Sequence, residues 1–249
     1  MTESFLLRAN ERGYNRIPST GEASSYVAGH PEAILTRHSS FNFHEYQAGR
    51  SGFGRMRVFG DEIFSGAGCG YNIHRHHNFI ICAFVLQGRL THINTVGNID
   101  QLMSGDYYVF SAGSGGKHCE LNLLSEDMHA IYMWFLPDAL YRNPSYLRSH
   151  FDRQAGRNRI VTLVGKARGA LPIDQDVRVS RLVSDAPGTY EYRPASTKHG
   201  VYAFLLEGEM ECAGTKLGRR DSTGLWGAET LSLRTSATPA DLLLVETAM

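Results

Sequence analysis

Apolar residues in this chain come in short runs rather than long periodic stretches. Met56 to Phe59, Phe79 to Leu86, Tyr107 to Phe110, Met128 to Leu136, Arg159 to Leu163, Val201 to Leu206 and Ala240 to Val245 are rich in Val, Ile, Phe, Tyr or Leu. Each is closed by Gly, Asn or Asp within about ten residues, which predicts antiparallel strands folded into a sandwich or barrel. Only Pro144 to Phe151 has a spacing compatible with two helical turns. The stretch Tyr141 to Arg159 is polar, carries Arg142, Arg148, Arg153, Arg157 and Arg159, and reads as a solvated connector. The expected domains are residues 1–140 and 141–249, each near the size, about 100 to 150 residues, at which a chain buries a core of its own.

An internal repeat supports the division. Ala83-Phe84-Val85-Leu86-Gln87-Gly88-Arg89-Leu90 and Ala203-Phe204-Leu205-Leu206-Glu207-Gly208-Glu209-Met210 share Ala, Phe, Leu and Gly at matching places. Each reads as a buried strand running into a glycine turn, one on either side of the connector, so duplication of one β-barrel unit is the simplest account.

Composition narrows the functional classes. Lys plus Arg and Asp plus Glu number 25 each in 249 residues, so no net field gathers phosphates and nucleic acid is not an expected partner. The opening MTESFLLRANERGYNR lacks the apolar core of a signal peptide, and the longest apolar run, Phe79 to Leu86, is far shorter than a membrane span. Cys69, Cys82, Cys119 and Cys212 are scattered with no CxxC pair, so a reducing, cytoplasmic location is expected and disulfides are not.

The candidate chemistry lies in two short pairs. His74 and His76 stand two apart, as do His118 and Glu120, and on a strand residues i and i+2 share a face. Enough chain separates the pairs for two or three strands to bring them together inside a small barrel. Three imidazoles and a carboxylate suit Fe(II), Mn(II), Co(II), Ni(II), Cu(II) or Zn(II), not Ca(II) or Mg(II). Four protein ligands would leave positions open on an octahedral ion, the mark of a reactive site. His77 and Cys119 alternate to the opposite face, the first toward packing or solvent, the second as a small buried hydrophobe. Phe41, Phe53, Tyr71, Met133 and Trp134 could line a ligand cavity or simply fill a core.

These residues resemble a known family. Gly70-Tyr71-Asn72-Ile73-His74-Arg75-His76 followed by Gly88 looks like the first cupin motif, and Gly105-Asp106 with Gly113-Ser114-Gly115-Gly116-Lys117-His118-Cys119-Glu120-Leu121-Asn122 like the second. The latter is similar to the second motif of the pirin family, whose bacterial members include quercetin 2,3-dioxygenase-like proteins. Arg37-His38, Phe41-Asn42-Phe43, Gly52-Phe53-Gly54, Trp134-Phe135-Leu136-Pro137-Asp138 and Pro144-Ser145-Tyr146 add matches outside the motifs. The likeness runs from about Leu6 to the C-terminus and is strongest from Gly52 to Phe151. Two departures stand near the site: Ile80 where the family commonly has an acidic residue, and His77-Asn78 where it has an Arg-Asp pair.

The resemblance implies an all-β chain of two tandem cupin (jelly-roll β-barrel) domains, with one metal ion in the first held by His74, His76, His118 and Glu120. Fe(II) is the first expectation, with Ni, Co, Cu, Mn or Zn as alternatives. It implies dioxygenase chemistry on a flavonol-like or other small enol or aromatic substrate, with Glu120 also accepting the substrate's proton. The alternatives are a non-enzymatic metal- or redox-sensing regulatory protein and a different cupin oxygenase or isomerase. Carrying the repeat offset to the second half sets Pro194 and Ser196 at the places of the two histidines, so that half is expected to bind no metal.

Overall fold

The computed structural model describes residues 3–42 and 50–249, and Phe43 of the family-like motif lies outside the described residues. The chain is built from short antiparallel strands, as the runs predict, and forms two compact units. One comprises Gly13–Gly52 and Met56–His150. Its larger sheet runs in the order Ser145–His150, Asp106–Ser111, Ile80–Gln87, Met128–Phe135, Met56–Ser65, Ile34–Phe41, Gly13–Pro18. Its smaller sheet runs Val27–Ala28, Cys69–His76, Gly116–Asn122, Arg89–Asn94, Ile99–Met103. Inward-facing Leu35, Phe64, Ile81, Tyr108 and Tyr132 of the first sheet pack with Tyr71, Leu90 and Leu102 of the second in one core.

The other unit repeats this plan. A six-stranded sheet runs Glu3–Leu7, Ser222–Trp226, His199–Glu207, Ala240–Ala248, Val177–Ser184, Ile160–Val164, and a four-stranded sheet runs Gly188–Tyr192, Leu231–Thr235, Met210–Cys212, Thr215–Leu217. The two copies of the sequence repeat, in Ile80–Gln87 and His199–Glu207, are both interior strands with a neighbour on each side. No helix among the described residues is long and apolar enough to cross a membrane.

The boundaries differ from a single cut at residue 140. The unit that holds Phe151–Met249 also holds Met1–Arg12, because Glu3–Leu7 pairs with Ser222–Trp226 as its edge strand. In the first unit the matching edge is Ser145–His150, paired with Asp106–Ser111. The segment read as a possible helix and part of the connector is therefore a strand. Its apolar spacing is too short to decide between periods, and pairing with a free sheet edge satisfies its backbone groups in a way that two isolated helical turns would not.

One position tests how tightly the small sheet of the first unit is set. Gly70 has φ +151°, and a Cβ there would lie 1.9 Å from the Glu120 carbonyl oxygen. Gly70→Ala is expected to force the strands Cys69–His76 and Gly116–Asn122 apart and to cost on the order of 3 kcal/mol, read from the urea midpoint. A loss of less than about 0.5 kcal/mol would show that the pair tolerates the shift.

Candidate metal centre

The site grows from one pairing. Along Cys69–His76 and Gly116–Asn122, His76 stands opposite Gly116, Arg75 opposite Lys117 and His74 opposite His118. Alternation turns His74, His76 and His118 into the barrel and leaves Arg75 and Lys117 exposed. The register then slips between His118 and Glu120, so that Glu120 faces Tyr71 and both Asn72 and Ile73 lie across from Cys119. This extra residue is a β-bulge, and it reverses the alternation beyond it. Ile73 is exposed, whereas Tyr71, which unbroken alternation would turn outward, is buried inside.

Three imidazoles converge as a result. Nε2 of His118 and Nε2 of His74 are 3.1 Å apart, and the ring centroids of His74, His76 and His118 lie 4.6 to 4.9 Å from one another. His74 Nδ1 is 2.7 Å from the Asn72 carbonyl oxygen, which can only accept, so the ring proton sits on Nδ1 and Nε2 keeps its lone pair. Nε2 of His76 is buried and has no hydrogen-bond partner. Burial pushes all three rings below the ordinary imidazole range, His76 to about 3 with a further contribution from His74. Neutral rings with inward lone pairs are what a borderline transition metal requires. Two nitrogens each about 2.1 Å from one ion at a right angle are about 3.0 Å apart, so the His74–His118 gap fits the group. These three residues form one cluster able to hold a cation.

Glu120 reaches the same cavity from a different side. Its Oε1 accepts a hydrogen bond from the Tyr108 hydroxyl and lies 3.8 Å from His118 Nδ1, on the far side of that ring from the His74 contact. Burial raises its pKa to about 8, against the Tyr108 hydrogen bond and with a smaller push from Glu62. His92, absent from the sequence reading, completes a second cluster with His118 and Glu120. It is fully buried, its Nε2 is 3.1 Å from His118 Nδ1, and its ring lies flat on Tyr146 and tilted against Tyr108. Burial, followed by the influence of His74, lowers its pKa to about 3. With Nε2 of His118 free for an ion, its Nδ1–H donates to His92, the kind of outer partner that fixes a ligand ring.

The cavity has a volume of about 20 Å³, room for one water-sized occupant. Tyr71 and Trp134 line it, together with Tyr26, Arg37, Glu62 and Tyr132. The Tyr71 hydroxyl donates to Glu62 Oε2 at 2.6 Å and accepts from Arg37 Nη1 at 3.3 Å, and Trp134 meets His76 edge to face. Three of the expected lining residues, Phe41, Met133 and Phe53, are elsewhere, and Phe41 is buried at the end of Ile34–Phe41. Met133 is buried on the opposite face of its strand, since Tyr132 and Trp134 on either side of it turn inward. Phe53 belongs to the other unit and packs against Phe5, Tyr202 and Trp226. His77 is exposed, and Cys119 is buried away from the three imidazoles. The segment from Gly13 to Leu35 both extends the larger sheet, through Gly13–Pro18, and sets Tyr26 within 6.0 Å of the His74 ring. In the second unit the strand at the place of Cys69–His76 is Gly188–Tyr192, so Pro194 and Ser196 fall beyond its end.

Comparison with known proteins agrees with this architecture. Residues 23–135 match the family model described as Pirin, and residues 164–247 the one described as quercetinase C-terminal cupin domain. A putative quercetin 2,3-dioxygenase of Pseudomonas aeruginosa is 30% identical over 220 residues, covering 86% of this chain and 93% of the relative. A pirin-like protein of Caulobacter vibrioides is 30% identical over 224 residues, covering 89% and 95%. Among solved structures, the bacterial pirin YhhW of Escherichia coli in complex with nickel(II) superposes with a TM-score of 0.84 over 99% of each chain at 24% identity.

The His92 contact generates a test. His92→Phe keeps a ring between Tyr108 and Tyr146 but leaves His118 Nδ1 without its partner, and is expected to weaken Ni(II) binding about 10- to 100-fold in a chelator competition. Affinity equal to wild type would mean that His118 is oriented without it.

Proposed function

The chain belongs to the pirin family, and we propose that its first barrel holds one divalent transition-metal ion and adds dioxygen to a flavonol-like or other small enol or aromatic substrate. Nε2 of His74, His76 and His118 would hold the ion, and Glu120, which clusters with His92 and His118 but lines the same cavity as His74 and His118, is the proposed fourth ligand. The observation that carries this reading is the convergence of three neutral imidazoles on one spot, with the buried His76 Nε2 lacking any other partner. Fe(II) is the proposed ion, and Ni, Co, Cu, Mn and Zn are the alternatives.

When bound, such an ion supplies Lewis-acid polarisation that lowers the pKa of a substrate hydroxyl. The remaining work falls to the chain's own groups. Glu120 stands to take that proton on its carboxylate, and Tyr108 holds Oε1 in place through its hydroxyl. Tyr71, Glu62 and Arg37 form a hydrogen-bonded wall, while Trp134 and Tyr26 pack against the histidine rings and limit water. The second barrel is read as metal-free. Both oxygens of its buried Glu246 are taken, by the Ala195 N–H and His199 Nδ1 on one side and by Tyr192 and Arg178 on the other. The four cysteines are buried and unpaired, which suits the reducing cytoplasm.

One observation favours the alternative of a metal-sensing protein: a cavity of about 20 Å³ admits an ion more readily than a flavonol. Elemental analysis of the full chain, followed by oxygen uptake with quercetin after loading with each candidate metal, separates the two. The expected results are about one ion per chain, its loss in His76→Ala and in His118→Ala, its retention in His77→Ala, and oxygen consumption with carbon monoxide release by the loaded protein. Full retention of metal in both loss variants would falsify the ligand set. A loaded protein that consumes no oxygen with flavonols or simpler enols returns the sensor reading.

A further inference from the structure

Three buried phenols stand around the cavity or just behind it, and they differ in one respect. The Tyr71 hydroxyl donates to Glu62, and the Tyr108 hydroxyl donates to Glu120. Tyr132, which lines the cavity beside His118 and Glu120, is 2% exposed and its hydroxyl has no hydrogen-bond partner. The ring has little freedom to find one. Its strand is paired on both sides, with Gly60 and with Ala83 opposite Tyr132, and the ring is stacked on Phe64 at 6.2 Å and edge-on to Tyr71 at 6.5 Å. Buried hydroxyls are almost always hydrogen-bonded, and one left open in a rigid wall marks a place where a ligand atom completes the pairing.

The surroundings say which kind of atom. Burial above all, with Glu120 and Glu62 adding to it, pushes the Tyr132 phenol well above its ordinary range, so it keeps its proton and acts as a donor. A donor fixed in a wall shared with the histidine cluster is suited to an oxygen that carries negative charge, and such hydrogen bonds are the strong ones. We propose that the Tyr132 hydroxyl is a specificity-determining residue that donates a hydrogen bond to an oxyanion of the bound ligand, selecting enolates and catecholates over neutral molecules of the same shape. The proposal rests on the metal-site reading above and adds a residue to it that neither cupin motif contains.

Tyr132→Phe in the full chain removes one oxygen and keeps the ring stack. Wild type and variant are loaded with Ni(II) and titrated with 4-nitrocatechol, whose visible absorption reports ionisation and binding. The expected result is unchanged metal stoichiometry, unchanged Ni(II) affinity in chelator competition, an unchanged urea midpoint, and a rise of about 10-fold or more in the Kd for 4-nitrocatechol. Equal Kd values for the two loaded proteins overturn the proposal alone, and mean that the hydroxyl serves a resident water or nothing. A variant that loses metal and stability together overturns it in favour of a structural role. Wild-type protein that takes up no ion defeats the metal-site reading, and this proposal with it.

Discussion

The arrangement depends on one extra residue in the strand Cys69–His76. Strand alternation by itself can bring His74, His76 and His118 to the inner face of the small sheet, but it would send Tyr71 outward. The bulge at Asn72 and Ile73 resets the alternation, so that the imidazoles and the Tyr71 phenol share one interior. Asn72 is not merely the inserted residue, since its carbonyl accepts from His74 Nδ1 and its amide N–H is bonded to the Tyr26 carbonyl. A single backbone irregularity thus sets a histidine tautomer, a phenol and a covering loop. Gly70 is what allows the neighbouring strand to come close enough for this to happen.

The interiors of the two units contrast in how their polar groups are satisfied. In the second unit, burial alone would raise the Glu246 carboxyl, yet the Ala195 N–H, His199, Tyr192 and Arg178 together hold it below the ordinary carboxylate range. Arg181 makes a two-pronged ion pair with Asp241, likewise buried. Such closed networks order a core and leave no donor or acceptor for a ligand. In the first unit the described atoms without a hydrogen-bond partner include the buried His76 Nε2 and Tyr132 hydroxyl. Open valences in an otherwise satisfied interior locate chemistry better than cavity size does. A larger hollow in the second unit is lined in part by the exposed ion pair of Arg157 with Asp185.

The departures from the family pattern have local consequences. Ile80 is buried in the central strand Ile80–Gln87, opposite Ser111 on one side and Phe135 on the other, where a carboxylate would need a partner. His77 is exposed, and Asn78 adopts φ 58° with its Oδ1 accepting from the Tyr141 N–H at 2.7 Å. This pair therefore anchors the turn after His76 rather than contributing to the three-nitrogen cluster.

Much of this was legible in the sequence, and the limit has a physical cause. Two-residue spacing is a local property of strands, so the inward-facing histidines, the exposed His77 and the outward Cys119 could be read without knowing what packs against them. The short apolar runs and the repeated Ala-Phe-Leu-Gly pattern likewise gave the all-β class and the duplication. What depends on pairing partners could not be read. Glu3–Leu7 joins the second unit and Ser145–His150 becomes an edge strand because sheet edges far along the chain were available to them. Met133 and Tyr132 are adjacent in a stretch that is apolar from Ala130 to Leu136, so only the packed sheet decides which of them meets the cavity. His92 carries no motif of its own, and its contact with His118 exists only because Arg89–Asn94 pairs with Gly116–Asn122. Local periodicity fixes which side of a strand a residue faces, whereas its partner across the barrel is set by register, and register is decided by the tertiary structure.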